Sequence, residues 1–489
     1  MRLSSLVQTL TERGFSFAFT AAEGAKDPEV SGVFADSREI CPDSVFCCIE
    51  GEKDDGHRYI PAAEAAGAAA LVCERPVETG LPLFRTSSTR GLMGELAALA
   101  YGEPASKLFM VGVTGTNGKT TTTYILRGIL QAAGLRTGLL GTVVESDGVQ
   151  ERDAERTTPE SCRLQRLLAA MVGNGCEACV MEASSHGLHI GRLSGCRFDA
   201  VVFTNLSPEH LDYHKDMENY FQAKRLLFTK HSKECRVAAI NADDPYGARL
   251  LAEFASPEFR PFSLSDASGT RLDVEGSSFV ITAKGWSPLP VKSPLAGSFN
   301  VANVLGAATV LRGKLDDAVI AKGIASVPQA PGRLERHPLP SGACCVIDFA
   351  HTPEALRNVL SAARGFCSGK LVSIFGHGGG RYPSNRPALG GVAAGLADRV
   401  VVTMDNPRDE DPARIAEAIV QGIENSGREI PYEVILDRKE AITKTLAAAG
   451  SGDVLVVSGK GPEKFLTIQG RKIPYNDAET VDEWIRLAR

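Results

Sequence analysis

The segment MVGVTGTNGKTTTTYIL (residues 110–126) contains residues whose types and spacing suit phosphate binding. Gly115 and Gly118 precede Lys119 and Thr120, and an apolar run typical of a buried strand comes before them. In such a turn backbone N–H groups surround an anion, and the following helix adds a positive potential. Lys119 would reach the β- and γ-phosphates, and the Thr120 hydroxyl would bind Mg²⁺. The sequence therefore predicts a nucleotide site.

The glycine spacing departs from the usual phosphate loop. That pattern has a glycine five residues before Gly118, where this chain has Val113, and here the first glycine is Gly112. An ordinary glycine-rich turn is the alternative, but G-K-T-T directly after a strand favours the nucleotide site. The sequence has no guanine-reading N-K-x-D motif, which disfavours a GTPase switch.

Polar clusters follow two further apolar runs. VMEASSHGL places Glu182 just after one of them, and TNLSPEHLDYH places Asn205, Glu209 and His210 after the other. Ligands in open α/β sheets bind beyond the carboxyl ends of strands, so these side chains predict a metal–nucleotide centre. His210 and His214 could share a metal on one helix, but no third ligand follows at a zinc-enzyme spacing.

These side chains need an α/β scaffold. From about residue 108, apolar runs of strand length alternate with helical patterns, as in a parallel sheet with helices on both faces. Gly/Pro breaks occur at YGEPASK and SVPQAPGR. We predict an α/β protein of three domains: a small N-terminal α/β substrate domain (1–105), a central P-loop parallel-sheet ATPase domain (106–330) and a C-terminal Rossmann-like α/β domain (331–489).

Composition limits the classes of function. The 489 residues carry a net charge of −6 and are 43% hydrophobic. The acidic balance argues against nonspecific nucleic-acid binding. The sequence contains no run long enough to span a membrane and no secretory signal, so we expect a cytoplasmic protein with twelve reduced cysteines. Cys176 and Cys179 form one C-x-x-C pair, which we interpret as core packing rather than a zinc or redox site.

Motifs along nearly the whole chain resemble those of the Mur ligase family. The segments DSR and DGHRYI add to the resemblance near the N-terminus, and folylpolyglutamate synthases, which share the order more loosely, lack them. Eight further motifs follow in order: GVTGTNGKTTT, MEASSHGL, TNLSPEHLDYH, YFQAKRLLF, NADDP, GSFNVANVLGA, PGRLE and VIDFAHTPEAL.

The resemblance is strongest to the family type that adds the third residue of the peptidoglycan stem peptide. It implies that ATP phosphorylates the carboxylate of UDP-MurNAc-L-Ala-D-Glu and that a diamino acid then attacks the acyl phosphate. Catalysis of this kind needs positioning and charge stabilisation rather than an enzyme nucleophile. The resemblance also implies that domain closure assembles the site and excludes water. We expect a monomer without a nucleic-acid partner.

The resemblance assigns roles to individual residues. The implied catalytic residues are Lys119, Lys224, His210 and Glu182. The implied ATP-binding residues are Gly115, Thr116, Asn117, Gly118, Lys119, Thr120, Thr121, Asn303, Arg333 and Asp348, and His351 lies in the same loop as Asp348. The implied Mg²⁺ ligands are Thr120, Glu182, His210 and Lys224 as a carbamate, although a solvent-reaching lysine is the alternative for Lys224.

Two further groups are implied to bind the other substrates. The UDP-sugar-peptide group is Ser37, Arg38, Thr157, Thr158, Ser184 and Arg192; the family often has Gln two residues before that last arginine, where this chain has Ile190. The amino-acid group is Arg386, Asp405, Asn406, Pro407, Arg408, Gly459 and Glu463.

The D-N-P-R version of the late motif goes with meso-diaminopimelate in the family. The planar guanidinium of Arg408 suits the second carboxylate that distinguishes diaminopimelate from lysine. Glu463 would hold the distal ammonium and Arg386 the other carboxylate. Pro462 replaces a family histidine, and Gly380 replaces a family aspartate. These two departures leave open the addition of lysine or ornithine, or a relaxed specificity. A folate-type ligase and a P-loop ATPase switch are the competing functions.

Overall fold

A computed structural model describes residues 1–21, 27–51, 54–273 and 275–488. The described chain forms two compact units. The first consists of Met1–Leu206, His214–Pro261 and Gly306–Arg312. The second consists of Ser207–Tyr213, Phe262–Leu305 and Gly313–Arg489.

Helices and strands alternate along most of the chain. The α-helices are α1 Leu3–Glu12, α2 Ile60–Ala65, α3 Thr89–Ala100, α4 Lys119–Ala132, α5 Ser161–Gly173, α6 Ser185–His189, α7 Leu211–His214, α8 Met217–Thr229, α9 Pro245–Glu253, α10 Ser298–Leu311, α11 Asp317–Ala325, α12 Pro353–Phe366, α13 Asn385–Leu396, α14 Pro412–Glu424, α15 Arg438–Ala447 and α16 Asp477–Leu487. Short 3₁₀ helices cover Ser37–Glu39, Gly56–Tyr59, Pro104–Lys107 and Leu264–Asp266.

The strands are short, as is usual for α/β folds. They are β1 Phe17–Thr20, β2 Val33–Phe34, β3 Val45–Cys47, β4 Ala70–Cys73, β5 Leu83–Thr86, β6 Phe109–Thr114, β7 Thr137–Leu140, β8 Val144–Ser146, β9 Glu151–Asp153, β10 Ala178–Glu182, β11 Phe198–Phe203, β12 Ser232–Asn241, β13 Phe259–Phe262, β14 Ala267–Asp273, β15 Gly276–Ile281, β16 Leu289–Ser293, β17 Glu335–Pro338, β18 Cys344–Asp348, β19 Leu371–Phe375, β20 Arg399–Val402, β21 Tyr432–Val434, β22 Val454–Ser458, β23 Phe465–Ile468 and β24 Arg471–Pro474.

The first unit contains two sheets. One has the order β1-β5-β4-β3-β2, in which β1 alone is paired antiparallel. The other has the order β13-β12-β11-β6-β10-β7-β8-β9, and its strands β12, β11, β6, β10 and β7 pair in parallel. Strand β6 lies between β10 and β11, and Val113 pairs with both Glu182 and Val202. The carboxyl ends of three central strands therefore meet where the phosphate loop begins.

The second unit is also built on sheets. Strands β14, β15 and β16 form an antiparallel sheet, and β23 pairs antiparallel with β24. The larger sheet has the order β17-β18-β22-β19-β20-β21, with parallel pairing from β18 to β21. Its two faces are covered by separate clusters of buried apolar side chains, as expected for a parallel sheet. The loops after β19, β20 and β22 share the carboxyl edge.

Two sequence expectations concern the core and the membrane. The eleven cysteines whose side chains are described are free thiols, and Cys176 and Cys179 belong to the apolar core of the first unit. Among the described residues, no helix has both the length and the hydropathy required for a bilayer-spanning segment.

Candidate active site

The phosphate loop joins β6 to α4. Its backbone has a positive φ at Gly115 (151°) and Gly118 (86°), where a side chain would be strained. A Cβ atom on Gly115 would lie 1.8 Å from the Thr204 Oγ1 atom. The loop can therefore approach the end of β11 only because residue 115 is glycine.

The end of β11 supports this loop through hydrogen bonds. The backbone N–H of Thr116 donates to the Asn205 carbonyl over 2.9 Å, and the N–H of Asn117 donates to Asn205 Oδ1 over 2.9 Å. The Thr204 hydroxyl donates to the Asn117 carbonyl over 2.6 Å. These two loop N–H groups thus hold the loop in shape. Asn205 was predicted at the metal–nucleotide centre, and the structure places it as a support of this loop. The sequence analysis missed Thr204, whose signal is its place at the end of an apolar run.

Lys119 begins α4 and contacts the loop that precedes it. Its Nζ atom donates to the carbonyl oxygens of Gly115, at 2.9 Å, and Thr116, at 2.7 Å. These two bonds hold the ammonium group against the loop. An anionic phosphate oxygen is a stronger acceptor than a neutral carbonyl, so it can replace these partners.

Glu182, the last residue of β10, accepts hydrogen bonds from two threonines. Its Oε1 atom accepts from the Thr120 hydroxyl (2.9 Å) and the Thr142 N–H (2.8 Å), and its Oε2 atom accepts from the Thr142 hydroxyl (3.0 Å). A buried carboxylate beside the threonine of a phosphate loop supplies the oxygen donors that Mg²⁺ prefers, so these residues fit the ion. The sequence analysis missed Thr142, whose signal is its place just after the apolar run TGLL.

Lys224 lies on α8 and is buried against the same loop. Its Nζ atom donates to the Gly115 carbonyl over 2.8 Å and lies 4.5 Å from the centre of the Tyr220 ring. The Tyr220 hydroxyl is 3.2 Å from Thr116 Oγ1. The alternative of a lysine that reaches solvent is thus wrong for Lys224. A carbamate nitrogen keeps one hydrogen and could still donate to Gly115, but the modification itself stays a prediction.

Four of the predicted sugar-peptide residues lie together behind Glu182. The Thr158 hydroxyl donates to the Glu182 backbone carbonyl over 2.9 Å and accepts from the Ser184 N–H over 3.0 Å. Arg192 Nη1 donates to the Thr158 carbonyl over 3.2 Å. The hydroxyl of Thr157 is 3.1 Å from that of Thr142. These residues form one polar network with Glu182.

Arg192 is further fixed by Glu160. Its Nε atom donates to Glu160 Oε1 over 3.0 Å, and the other carboxylate oxygen accepts from Arg90 Nη1 of α3 over 2.7 Å. Burial lowers the pKa of Arg192, although the charge of Glu160 opposes this shift. Ser37 and Arg38 lie in a short 3₁₀ helix of the first unit, where Arg38 pairs with Asp36.

In the second unit, Asp348 ends β18 and is buried. Its Oδ2 atom accepts from the Leu334 N–H over 2.7 Å, and Oδ1 accepts from the Ala350 N–H over 2.8 Å. Burial raises the pKa of Asp348, and the nearby Arg333 charge opposes the shift. The Arg333 guanidinium lies 4.9 Å from the centre of the Phe349 ring. The predicted Arg333 and Asp348 thus belong to adjacent, mutually supporting loops.

Asn303 lies on α10 and is also buried, where its Nδ2 atom donates to Asn300 Oδ1 over 3.0 Å. His351 Nε2 lies 3.2 Å from Glu209 Oε1. Burial lowers the pKa of His351, but the hydrogen bond and charge of Glu209 outweigh it and raise this pKa above its ordinary value. His210 Nε2 is 3.8 Å from the same Glu209 oxygen. The metal-binding role of His210 stays a prediction.

The predicted amino-acid residues come from the loops after β20 and β22. Asn406 Nδ2 donates to Glu463 Oε2 over 2.7 Å, which joins the two loops. A Cβ atom on Gly459 would lie 2.7 Å from Asp405 Oδ2, so glycine permits the close approach. Lys460 is fully buried, and its Nζ atom donates to Glu463 Oε2 (2.9 Å) and Asn406 Oδ1 (3.2 Å). The sequence analysis missed Lys460.

Two predicted arginines lie in the same unit. Arg386 is buried, and its Nη2 atom donates to Glu410 Oε1 over 3.0 Å, while the same oxygen accepts from the Gly380 N–H over 2.6 Å. Glu410 thus holds the loop that lacks the family aspartate. Arg408 Nη1 donates to the Gly379 carbonyl. Burial, aided by the Arg381 charge, lowers the pKa of Arg408, so a carboxylate ligand would relieve an unfavourable environment.

Several non-glycine residues with positive φ lie in these loops. They include His210 (58°), Leu334 (50°) and Arg408 (54°). Such a backbone is costly for these residue types and recurs at ligand-binding sites. Pro407 directly precedes Arg408 and helps to set this turn.

Known proteins match this chain over nearly all of its length and of theirs. The chain is 42% identical over 478 residues, 95% of each chain, to a UDP-N-acetylmuramoyl-L-alanyl-D-glutamate–2,6-diaminopimelate ligase of Gloeobacter violaceus. This chain belongs to the Mur ligase family. Models of three Mur ligase domains match in order: the catalytic domain at residues 29–101, the middle domain at 113–311 and the glutamate ligase domain at 332–461.

Solved structures agree with this Mur ligase assignment. A ligase structure of the same name is 29% identical, covers 96% of this chain and 99% of its own, and has a TM-score of 0.66. A MurF ligase from Thermotoga maritima, solved with ADP, is 21% identical, covers 94% of this chain and 98% of its own, and has a TM-score of 0.66; it shows the fold alone. The three domain matches confirm the predicted family and the predicted three-domain α/β class, and the predicted domain boundaries stay a prediction.

Proposed function

We propose that the chain is an ATP-dependent ligase that joins meso-diaminopimelate to UDP-MurNAc-L-Ala-D-Glu in peptidoglycan precursor synthesis. The observation that carries the proposal is the 42% identity, over 95% of both lengths, to a ligase named for that substrate pair. The phosphate loop with its buried Glu182–Thr120 pair supports the use of ATP. The arginines of the second unit support an amino acid with two carboxylates.

The reaction must make a poorly electrophilic carboxylate reactive toward an amine. The D-glutamyl carboxylate oxygen attacks the γ-phosphorus of ATP, a new O–P bond forms, and the bond to the β-phosphate oxygen breaks to release ADP. The amine nitrogen of the diamino acid then attacks the acyl carbon. A C–N bond forms, the C–O bond to phosphate breaks, and the attacking amine loses one proton to solvent while the new amide nitrogen keeps one hydrogen. Water must be excluded, because it would hydrolyse the acyl phosphate.

Residues of the first unit would hold the phosphates. Lys119 would exchange its bonds to loop carbonyls for bonds to phosphate oxygens. Thr120 and Glu182 would hold one Mg²⁺, and His210 and, as a carbamate, Lys224 would help to hold a second. When bound, Mg²⁺ neutralises negative charge on the phosphate oxygens. In the proposal, Asn303 contacts adenine, and Arg333 and Asp348 contact the triphosphate and ribose.

The proposal assigns the nucleotide-sugar substrate to the first unit. The uridine end is assigned to Ser37 and Arg38. The sugar-peptide is assigned to Thr157, Thr158, Ser184 and Arg192, whose hydrogen bonds lead to Glu182. This network supports the assignment, because it connects substrate residues to the carboxylate that would hold the metal.

The choice of diaminopimelate over lysine rests on charge. Arg408 is part-buried and donates to a neutral carbonyl, Gly379, so a substrate carboxylate would supply a better partner. Lysine lacks that carboxylate and would leave the guanidinium poorly solvated. Glu463, which already accepts from Lys460, is assigned to the distal ammonium and Arg386 to the other carboxylate.

One chain carries residues for all three substrates, so the proposal includes a monomeric enzyme. Its substrates, ATP and a nucleotide-sugar peptide, favour a cytoplasmic location.

Phosphate release by the purified protein tests the proposal. We expect release with ATP, Mg²⁺, UDP-MurNAc-L-Ala-D-Glu and meso-diaminopimelate, and a product heavier by one diaminopimelate less water in mass spectrometry. Parallel reactions with lysine and ornithine should be much slower. Release that does not require the nucleotide sugar would disprove the proposal, and faster ligation of lysine would disprove the substrate choice.

A further inference from the structure

A fully buried ion pair lies in the second unit at Arg438 and Asp477. Arg438 Nε donates to Asp477 Oδ1 over 2.8 Å, and Arg438 Nη2 donates to Asp477 Oδ2 over 2.8 Å. Both side chains have 0% exposure. The bidentate geometry fixes the plane of the guanidinium. Arg438 begins α15 and Asp477 begins α16, so each charge is attached to a helix that packs on the sheet.

The rest of the guanidinium contacts the backbone of two other segments. Arg438 Nη1 donates to the Met404 carbonyl over 3.2 Å, and Nη2 donates to the Ser458 carbonyl over 2.9 Å. Met404 lies two residues beyond the end of β20, and Ser458 is the last residue of β22. Strand β19 separates β20 from β22 in the sheet. One side chain therefore joins two strand ends that do not pair with each other.

The residues directly after these two carbonyls carry the predicted amino-acid contacts. Asp405 and Asn406 follow Met404, and Gly459 and Lys460 follow Ser458. The two loops touch at the Asn406–Glu463 hydrogen bond and where Gly459 approaches Asp405. Pairing with β19 spaces the two strands, and Arg438 joins the two chain segments just where they leave that pairing.

We propose that Arg438 and Asp477 are a positioning pair that holds the loops after β20 and β22 at the separation needed to bind the diamino acid. The inference rests on the proposed function. Neither residue needs to touch substrate, since both are buried behind the loops. A buried ion pair adds little stability relative to apolar residues of similar size, so stability alone does not account for it. Positioning of the two loops does account for the pair, because one guanidinium has enough donors to bind both carbonyls and the carboxylate at once.

The test measures kcat and KM for each substrate in Arg438→Lys and Asp477→Asn. Lysine keeps the charge but cannot reach two carbonyls and a carboxylate together, and asparagine keeps the shape but weakens the fork. We expect the KM for the diamino acid to rise about 10- to 100-fold in the lysine variant. The KM values for ATP and the nucleotide sugar should stay within about twofold. Asp477→Asn should change the same KM by less.

Arg364 provides a control in the same sheet, with a partly exposed ion pair in place of a buried one. It pairs with Asp398 at 2.9 Å and donates to the Leu396 carbonyl over 2.9 Å, just before β20 starts, at the opposite edge of the same sheet. Arg364→Lys should leave the KM for the diamino acid unchanged. A rise in that KM equal to the rise in Arg438→Lys would overturn the proposal, since any loosened ion pair of the sheet would then have the same effect.

The other possible outcomes also test the positioning role of Arg438. Unchanged KM values in folded Arg438→Lys, or an equal rise in all three, would overturn the positioning role. If Arg438→Lys does not fold, Asp477→Asn decides by the same criterion, and failure of both to fold would assign the pair a structural role only. Absence of ligation by the parent protein would instead disprove the proposed function, so the two failures are distinguishable.

Discussion

The two compact units hold their site cations in different ways. In the first unit, Lys119 and Lys224 both donate to main-chain carbonyls of the phosphate loop, and both reach the Gly115 oxygen. In the second unit, Arg386 and Lys460 donate to the carboxylates of Glu410 and Glu463. Both cations of the first unit thus contact main-chain oxygens of one loop. In the second unit Arg386 and Lys460 are paired with acidic side chains, whereas Arg408 donates to the Gly379 carbonyl.

This difference predicts that substitutions in the two units change different kinetic properties of the enzyme. A phosphate-binding loop is shaped by glycine and by the strand end that supports it, so its cations act together on one anion. The amino-acid site consists of separate charged side chains. A substrate carboxylate must therefore displace the acidic side chains that already pair with Arg386 and Lys460. The first unit should therefore govern rate, and the second should govern which amino acid is used.

The largest effect should follow from Lys224→Ala in the first unit. Loss of this buried lysine removes the proposed carbamate, and we expect ligation to fall about 10²- to 10³-fold. Added short-chain carboxylic acid should restore part of the rate, because its oxygens can replace those of the carbamate. Phosphate release with all three substrates measures both effects. Lys230, exposed at the end of the same helix, is the control, and Lys230→Ala should keep full activity.

A smaller and different effect should follow from Arg408→Lys in the second unit. We expect the preference for diaminopimelate over lysine to fall about 30-fold, since a charge-assisted hydrogen bond contributes about 2 kcal/mol. The ratio of kcat/KM values for the two amino acids is the measurement. Arg414→Lys, on the exposed side of α14, should leave the ratio unchanged. If selectivity survives in Arg408→Lys while rate collapses, the division between rate and choice is wrong.

A third effect, on stability and not on activity, concerns one buried histidine in each unit. Burial, aided by the Lys230 charge, lowers the pKa of His231 to about 3, and burial, aided by Arg386, lowers that of His377 to about 4. In the folded protein at neutral pH both side chains are neutral imidazoles. In the unfolded chain each histidine has its ordinary pKa of about 6.5 and binds a proton below that pH. Each therefore contributes stability above pH 6.5 that is lost as the pH falls from 6.5 towards its folded pKa.

Between pH 7 and pH 5 this loss amounts to about 2 kcal/mol for each histidine. Urea unfolding at the two pH values measures it. His231→Gln should reduce the acid sensitivity of the first unit, and His377→Gln should reduce that of the second. Each variant serves as the control for the other unit. If the free energy of unfolding of a variant keeps the parent's pH dependence, that histidine does not cause the acid sensitivity.

Prediction from sequence worked best where chemistry follows from neighbours in the chain. The turn from β6 into α4, with Gly118, Lys119 and Thr120, is a local pattern whose glycines and helix start follow from backbone sterics. Thr142 and Lys460 were missed because each has meaning only through partners far away in the chain. Lys224 could not be separated from a solvent-facing lysine until its burial against the loop was seen.

The amino-acid sequence by itself determined the phosphate loop, the alternation of strands and helices, and the family to which the chain belongs. These features depend on short-range spacing and hydrophobic period, which a linear pattern records. Tertiary structure alone decided that Glu182 binds Thr120 and Thr142, and that Arg438 joins the ends of β20 and β22. Such contacts depend on how the strands are ordered in the sheet, and that order brings together residues that the chain keeps far apart.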